Sequence, residues 1–560
     1  MNYKKLAEVY QKISSTTKRL EKTQIISEFM KEIPEKEKDI IYLLLGEVYP
    51  ESDERKIGIS TQLAIKAISK ATGTDSKKVM NEWKKIGDLG EVAEKLTKEK
   101  KQSTLHSSIL TTEKVLDNLR KLPELEGHGT VNKKMSLITE LLTSASPIES
   151  KFITRTILGD LRIGIQESTI RDAIAETFFQ ENKKEAVEKI QEAIDKTNDL
   201  AETFHLAKKR NLNEFEKIEI DVGSPIRVML AQKVSSVEEG FAVVGKPCAV
   251  EYKYDGFRLV IHKKGDKITL YTRRLENVTK QFPEVTDYVK KFVKGDNFIL
   301  DSEAVGFNKK TKKYTKFQDI SQRIKRKYDI EKLQNELPVE VNIFDVLFYE
   351  GKSYLNEPFI KRTELVKKII SNQPYKIICS KQIITDSEKK AQEFYEKALK
   401  ENQEGVMLKN LDAVYKPGKR VGYMLKLKPE SKDLDLVITG AEYGTGKRSG
   451  WFSSFILSCR EGNEFLEVGR VGTGIGEKEN ENKVTFNELT EKIKPLITKE
   501  EDKMVKIKPK IVVAVTYQEI QKSPTYNSGY ALRFPRVTAI RVDKPLSEIS
   551  TLEEIQNEYK

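Results

Sequence analysis

The chain has 560 residues, with 99 Lys and Arg against 86 Asp and Glu, which gives a formal net charge of +13. One third of the residues are charged and 38% are hydrophobic, so we expect a folded chain of about three or four domains. Because no apolar run approaches the roughly 18–20 residues of a membrane helix and no signal segment stands at the N-terminus, we expect a cytoplasmic protein without a membrane span.

Residue spacing also argues against a structural zinc site and a disulfide framework. The three cysteines lie far apart with no CxxC pair, and the four histidines are scattered: Cys248, Cys379, Cys459, His106, His128, His205 and His262. Structural zinc sites and disulfide scaffolds need clustered ligands or regular spacing, so the composition argues against both.

The basic residues are concentrated in one part of the chain. Residues 1–250 hold 41 basic and 40 acidic residues, residues 251–450 hold 41 and 29, and residues 451–560 hold 17 and 17. A Lys-rich surface without a ligand is one interpretation. The other is a central site for phosphates, since a basic excess favours polyanionic ligands.

Three predicted regions follow one another. Residues 1–220 are predicted to be helical, because apolar residues recur at helical spacing in segments such as LAEVYQKISS, and Ser146-Pro147-Ile148-Glu149 is typical of a helix start. Residues 221–428 mix short β-rich runs with helices and predict an α+β domain. Residues 429–560 predict a small closed barrel from short strands with Gly-containing turns.

The segment Lys253-Tyr254-Asp255-Gly256-Phe257-Arg258 carries the first chemical signal, a K-x-D-G-x-R pattern at the end of a β-rich run. By chance this pattern should arise with a probability under about one in a hundred. A solvated hairpin turn is the alternative, because Asp-Gly is a common turn pair.

Further segments follow in a fixed order, and they resemble the motifs of ATP-dependent DNA ligases. They are TRRLENVT with Arg273, LDSEAVGF with Asp301 and Glu303, IFDVLFYEG with Phe344, EGVMLK with Glu404, MLKLK with Lys426 and Lys428, and LRFPRVTAIRVDK with Arg533, Arg536, Arg541, Asp543 and Lys544. In addition, SPIESKFITRTILGDLRIGI is similar to the DNA-binding domain of replicative archaeal and eukaryotic members, and the archaeal type fits best.

The resemblance implies a multidomain fold and a reaction. It implies an all-α DNA-binding domain, an α+β nucleotidyltransferase domain (the ATP-grasp-like adenylation domain) and a β-barrel OB-fold domain. It also implies that the chain seals nicks in duplex DNA with ATP, through a lysyl-AMP intermediate and an adenylated 5′-phosphate, in replication, repair and recombination.

The same resemblance assigns site residues. Lys253 is the expected nucleophile; a lysine amine attacks only when neutral, against an ordinary pKa of about 10.4, and nearby cations such as Arg258, Lys426 and Lys428 favour that form. Glu303 and Glu404 are the expected ligands of Mg²⁺ or another divalent cation. Asp301 is as well explained by a structural role. The remaining expected ATP contacts are Glu251, Arg258, Arg273, Phe344, Arg420, Lys426 and Lys428.

Several of these residues have ordinary alternatives. Taken alone, Phe344 is most simply a core phenylalanine, Arg420 a loop arginine, and the C-terminal arginines a basic strand that grips DNA. In the family the C-terminal segment closes over the site, which predicts a hinge near Lys428-Pro429-Glu430-Ser431-Lys432-Asp433.

The expected partner is nicked duplex DNA, contacted through phosphates and the minor groove, with Lys151, Arg155 and Arg162 as residues to test. A sliding clamp is a further candidate partner, but the segment near Gln11 is better explained as a helix face. We expect a monomer. RNA ligases, GTP-dependent capping enzymes and a catalytically inactive DNA-binding scaffold are the competing interpretations, and the missing cysteine cluster argues against an NAD-dependent ligase.

Overall fold

A computed structural model gives the architecture. It describes residues 1–53, 55–100, 109–125, 127, 129–326, 328–429, 433–448, 450–477, 484–501 and 503–559, apart from the side chains of residues 318, 325 and 447. Two expectations lie outside these residues: the central part of the predicted hinge, Glu430, Ser431 and Lys432, and the two histidines His106 and His128. The chain forms two compact units, Met1–Asn81 with Leu89–Pro429, and Glu82–Asp88 with Glu430–Lys560.

The N-terminal region is helical, as predicted. Its helices are α1 Tyr3–Ser14, α2 Arg19–Met30, α3 Ile40–Leu44, α4 Thr61–Thr72, α5 Ser76–Ile86, α6 Leu89–Lys98, α7 Thr112–Glu124, α8 Thr130–Ser144, α9 Pro147–Ile157, α10 Glu167–Phe178, α11 Lys183–Thr197, α12 Leu200–Ala207 and α13 Asn213–Glu216. Gln11 lies on α1, which confirms the helix-face interpretation of that segment.

Helix α9 begins where the sequence predicts. Pro147 is its first residue, and the backbone N–H of Ser146 donates to Glu149 Oε2 over 2.7 Å. The helix ends at Ile157, earlier than the apolar run suggests, because Gly159 turns the chain with a φ of 68°. Its residues from Glu149 to Ile157 are buried, and Phe152 packs against Tyr10 of α1 with ring centroids 4.9 Å apart.

The central region contains two sheets and covering helices. The strands are β1 Leu230–Val234, β2 Cys248–Lys253, β3 Phe257–Lys264, β4 Lys267–Thr272, β5 Asn297–Gly306, β6 Val339–Tyr349, β7 Lys352–Ser353, β8 Ile377–Cys379, β9 Gln382–Thr385, β10 Gly405–Asn410 and β11 Arg420–Leu427. The helices are α14 Val237–Val244, α15 Pro283–Phe292, α16 Phe317–Lys325, α17 Ile330–Glu336, α18 Phe359–Ile369 and α19 Glu388–Lys400.

The first sheet has the order β1-β11-β10-β2-β9, and the second has the order β4-β3-β5-β6-β7 with β8 beside β6. Alternating side chains of each strand serve different cores. Leu259 and Ile261 of β3 join the core under α15 and α18, whereas Val260 between them joins a core shared with Met424 of the first sheet. The two sheets therefore face each other, and the strand ends that carry the predicted motifs meet between them.

The second unit is a β-barrel with two helices. Its elements are β12 Asp433–Tyr443, β13 Phe452–Glu461, β14 Glu464–Val471, α20 Phe486–Ile493, β15 Ile497–Glu501, β16 Met504–Ile507, β17 Val512–Thr516, β18 Glu519–Lys522, β19 Tyr530–Arg533, β20 Arg536–Ile540 and α21 Leu552–Tyr559. Strand β12 pairs with β13 along one edge and with β16 and then β17 along the other. The Val537 N–H donates to Thr473 O over 3.0 Å and links β20 to the end of β14.

In the described ranges, each helix is too short or too polar to span a bilayer.

Candidate active site

Lys253 is the last residue of β2 and lies opposite Gly405 of β10. Its Nζ forms a short ion pair with Glu404, and both side chains remain about one-fifth exposed. Gly405 has a φ of 147°, and a Cβ at this position would lie 2.2 Å from Leu427 O of β11. Glycine is therefore required for β10 to begin here, and this start places Glu404 against the lysine.

Gly256 has a comparable role on the other side of Lys253. A Cβ on Gly256 would lie 2.3 Å from Ala304 O, so only glycine lets the turn after β2 lie against β5. The turn is held further by the Asp255 N–H, which donates to Gln403 Oε1 over 3.2 Å. The Asp-Gly pair is thus a turn, as the ordinary interpretation has it, and it is also the contact that brings Glu303 of β5 beside the lysine.

Arg258 and Asp301 form a buried pair beneath this site. Arg258 Nε donates to Asp301 Oδ1 over 2.6 Å, and Tyr415 Oη donates to Asp301 Oδ2 over 2.7 Å. Asp301 is fully buried, and this favours the structural role considered for it. Because Asp301 neutralises part of the charge of Arg258, the field that Arg258 supplies to Lys253 is weaker than that of an unpaired arginine.

Glu303 lies opposite Arg258 on the neighbouring strand and beside Lys253 and Glu404. Burial raises the pKa of Glu303 to about 7, against the opposing pull of Lys253 and Arg258. Two carboxylates at one site are the hard oxygen donors that Mg²⁺ binds. Within the described ranges no group of three or more His, Cys, Asp or Glu side chains could hold a metal ion, so phosphate and water oxygens would have to complete the coordination shell.

Phe344 is partly exposed although its neighbours on β6 are buried, so it is not an ordinary core phenylalanine. Arg258 Cζ lies 4.9 Å and Lys409 Nζ lies 4.6 Å from its ring centroid. An aromatic ring exposed at a strand within a polar site is suited to stacking on a planar base.

Glu251 lies beside Phe344 and is 2% exposed. Lys409 Nζ lies 2.6 Å from Glu251 Oε2, and Gln382 Nε2 donates to Glu251 Oε1 over 2.7 Å. Lys409 and Gln382 are not among the residues predicted from the sequence. The alternation of Met407 and Lys409 along β10 could have indicated the first, whereas no sequence signal marks the second.

Four cations surround the rest of the site. Lys426 lies between the buried Leu425 and Leu427 in the sequence of β11. Burial lowers the pKa of Lys426, and the nearby positive charges of Lys253, Lys428 and Arg420 lower it further. Burial also lowers the pKa of Arg273, helped by Arg258 and Arg420. Arg420 is exposed and begins β11, so it is not a loop residue. A cluster of cations that lower one another's pKa gains stability when it binds a polyphosphate, so the cluster is suited to such a ligand.

The C-terminal motif lies in the second unit. Arg541 Nη1 lies 2.9 Å from Asp435 Oδ1, and Lys544 Nζ lies 2.5 Å from Asp435 Oδ2, so one carboxylate of β12 holds both cations. Arg533 pairs with Glu519 at 2.5 Å, and Arg536 is exposed.

The helical region does not support two of the residues chosen for DNA contact. Lys151 and Arg155 are 8% and 6% exposed. Lys151 Nζ lies 3.3 Å from Glu94, and Arg155 Nη2 lies 3.5 Å from Glu91. Both expectations were wrong because helix α9 is buried on all sides, so its basic residues serve internal packing. Arg162 is partly exposed beside Asp160.

A lysine at a strand end beside two carboxylates, with a partly exposed aromatic ring and a group of cations nearby, is suited to nucleotidyl transfer. The comparisons specify the family. Residues 228–428 match the ATP dependent DNA ligase domain, residues 2–175 match the DNA ligase N terminus, and residues 448–544 match the ATP dependent DNA ligase C terminal region.

Two curated relatives match the whole chain. A DNA ligase of Nanoarchaeum equitans is 46% identical over 100% of this chain and 98% of its own length, and a DNA ligase of Thermococcus fumicolans is 40% identical with the same coverage. The solved structure Pmar-Lig_PreS3 has the same fold, with a TM-score of 0.58 at 18% identity over 96% of this chain and 99% of that one.

The chain therefore belongs to the ATP-dependent DNA ligase family, in which its relatives are archaeal, and it is a DNA ligase that uses ATP. This confirms the three-part fold expected from the sequence: helical DNA-binding, adenylation and OB-fold domains. The RNA ligase, capping-enzyme and inactive-scaffold interpretations are not retained, because the relatives are DNA ligases along the full chain.

Proposed function

We propose that Lys253 is the nucleophile of this ligase and that the reaction has three steps. Lys253 Nζ attacks the α-phosphorus of ATP; a P–N bond forms, the P–O bond to the β-phosphate breaks, and pyrophosphate leaves. A 5′-phosphate oxygen of nicked duplex DNA then attacks the same phosphorus, and the P–N bond breaks. Finally the 3′-hydroxyl attacks the 5′-phosphorus, the phosphodiester forms, and AMP leaves.

The observation that carries this proposal is the ion pair of Lys253 and Glu404 at the open end of the site. Lys253 has to lose a proton before its amine can attack, and the Glu404 carboxylate is the acceptor that contacts it. The other lysines of the site are placed differently: Lys409 is buried against Glu251, and Lys426 has no carboxylate at its Nζ among the described ion pairs.

The remaining residues position the nucleotide. Phe344 stacks on the base, Glu251 contacts its edge, and Arg273, Arg420, Lys426 and Lys428 hold the ribose and phosphates, while Arg258 supports the floor of the site through Asp301. Glu303 and Glu404 would hold a divalent cation, which when bound neutralises phosphate charge. Boundaries near residues 220 and 428, closure of the C-terminal domain over the site, a monomeric state, a clamp partner and a cytoplasmic location remain predictions.

Loading with α-labelled ATP tests the nucleophile. We expect labelled protein with ATP and neither with GTP nor with NAD, and transfer of the label to nicked duplex after ATP is removed. Lys253→Ala and Lys253→Arg should both give no labelled protein, because arginine cannot be deprotonated. Lys381→Ala is the matched control, since Lys381 is an exposed lysine paired with Glu401 near the same strand. Loading by either Lys253 variant would exclude Lys253 as the nucleophile.

A further inference from the structure

Most of the charge excess of the central region lies in one segment that follows β5. Residues 307–328 hold nine Lys or Arg and one acidic residue, which accounts for +8 of the +12 carried by residues 251–450. The segment follows β5, beyond Glu303, and its first ten residues form a hairpin, residues 307–316, which we call the lysine hairpin.

The lysine hairpin is held together by one β-bridge and by hydrogen bonds to its backbone. Phe307 and Tyr314 pair across it, and the Asn308 N–H donates to Lys313 O over 2.9 Å. At the tip Asn308 Oδ1 accepts from the backbone N–H groups of Lys310 and Thr311 at 2.9 and 3.0 Å. These bonds satisfy the backbone of the turn and fix the positions of the Cα atoms that carry the lysines.

The base of the lysine hairpin is tied to the core beside the nucleophile. Tyr314 Oη donates to Glu340 Oε1 over 2.6 Å, and the Thr315 N–H donates to Gly306 O over 2.8 Å. The Tyr314 ring packs against the cluster that contains Tyr254, the residue after Lys253. The three residues from Glu303 to Gly306 span about 10 Å of strand, so the hairpin begins one short step from the site.

Four lysines of the hairpin are exposed and lie outside the ion pairs found in the described ranges. Lys309, Lys310, Lys312 and Lys313 form no ion pair with any carboxylate in the described ranges, although Lys309 Nζ donates to Asn335 Oδ1 over 3.0 Å. Lys312 Nζ lies 4.7 Å from the Tyr375 ring centroid, so its stem packs on the surface. Surfaces normally mix charges of both signs, and a single-sign cluster indicates an anionic ligand.

We propose that the lysine hairpin binds the phosphate backbone of the DNA duplex that flanks the nick. Lysines are point charges with rotating donors, and they suit backbone phosphates of any sequence. The hairpin directly follows β5, the strand that carries Glu303, so a duplex whose 5′-phosphate reaches Lys253 would pass close to it. This inference rests on the proposed nicked-duplex substrate and adds the surface that holds it.

The salt dependence of DNA binding tests the proposal. The full-length triple variant Lys309→Gln, Lys310→Gln, Lys313→Gln keeps Lys312 and the hairpin hydrogen bonds. We expect its affinity for a nicked duplex to fall, and the slope of log Kobs against log[salt] to become shallower by about 3, one for each lost phosphate contact. AMP loading from ATP, which needs no DNA, should equal that of the wild type.

The matched control is Lys389→Gln, Lys390→Gln, Lys397→Gln, which removes three exposed charges from α19 and should leave the slope unchanged. An unchanged slope in the hairpin variant would overturn the proposal, and this is also the result expected if the surface binds an acidic protein. An equal change in both variants would overturn it too, because net charge alone would then explain the effect. Failure of the wild type to load AMP would instead count against the role of Lys253.

Discussion

The nucleotide site and the lysine hairpin are both rich in cations, but they treat charge in opposite ways. In the site, Arg258 pairs with the buried Asp301, Lys409 is buried against Glu251, and Lys253 contacts Glu404. In the hairpin, four lysines are exposed without an acidic partner in the described ranges. Paired charges fix geometry at short range, whereas unpaired charges act on a ligand at long range and are screened by salt.

The comparison gives a criterion for the effects of substitutions. Changes in the site should alter rates, affinity for ATP or folding, and these effects should depend weakly on ionic strength because the pairs are desolvated. Changes in the hairpin should alter DNA binding in a salt-dependent way and leave folding within about 0.5 kcal/mol. A site variant whose defect disappears at high salt would contradict this division.

The largest effect is expected for Glu404→Gln. The substitution removes the carboxylate that contacts Lys253, so AMP loading should slow by about 10²–10⁴-fold through loss of the proton acceptor. Single-turnover labelling with ATP measures the rate. Glu401→Gln, three residues earlier and paired with Lys381, is the control and should load at the normal rate. A normal rate in Glu404→Gln would show that another group accepts the proton.

Asp301→Asn should destabilise the central region. The change leaves the Arg258 guanidinium without its carboxylate in a buried position, at a cost of about 3–5 kcal/mol. Urea unfolding followed by fluorescence measures the loss. If the cost comes from the unpaired charge, the double variant Asp301→Asn, Arg258→Met should be more stable than the single variant. Equal instability of both would instead indicate a packing defect.

A smaller effect is expected for Gln382→Leu. The variant removes the donor to Glu251 Oε1 and leaves a buried acceptor unpaired, at about 1–3 kcal/mol. We expect the KM for ATP in loading to rise about tenfold, with no change in the sealing of pre-adenylated nicked DNA. Gln392→Leu, on the exposed face of α19, is the control. Equal defects in loading and in sealing would show that Gln382 does not act through the base.

The smallest effect is expected for Asp195 in the helical region. Asp195 is a buried carboxyl group, like Asp301 and Glu251, but it lies outside the proposed active site. Burial raises the pKa of Asp195 to about 6, so the folded chain binds more protons than the unfolded chain between about pH 4 and 6. Its free energy of unfolding therefore falls as the pH rises through this window.

Asp195→Asn keeps the acceptor for Gln191 Nε2 and removes the titration. Relative to the wild type, the variant should gain about 1 kcal/mol between pH 5 and pH 7. Thermal unfolding at both pH values measures this difference. A variant that loses stability on the same pH change would show that Asp195 is held ionised by Arg227.

The sequence predicts the order of elements and the motif residues well, because each depends on local pattern. Alternation placed Lys426 on one face of β11, and the Asp-Gly pair marked the turn after Lys253. Prediction from the sequence fails where the role of a residue depends on neighbours that are distant along the chain. Nothing local shows that Asp301 neutralises Arg258, or that Gln382 reaches Glu251 from β9.

The burial of individual side chains is also not predicted by the sequence pattern. Lys151 and Arg155 lie in a helix whose every side is covered, so an apparently basic face is internal. Phe344 shows the reverse, since a hydrophobic residue in an apolar strand proves to be partly exposed. In both cases the packing of neighbouring elements determines how exposed the side chain is, and the sequence of one strand or helix does not show that packing.

Asp435 makes the C-terminal motif a competitive binder. Arg541 and Lys544 are already partly neutralised by Asp435, and Arg541 also by Asp543, so a phosphate that reaches them competes with resident carboxylates. Such competition selects ligands by their charge. A singly charged anion binds little better than the resident carboxylate, whereas a ligand with several negative charges binds more strongly than the carboxylate.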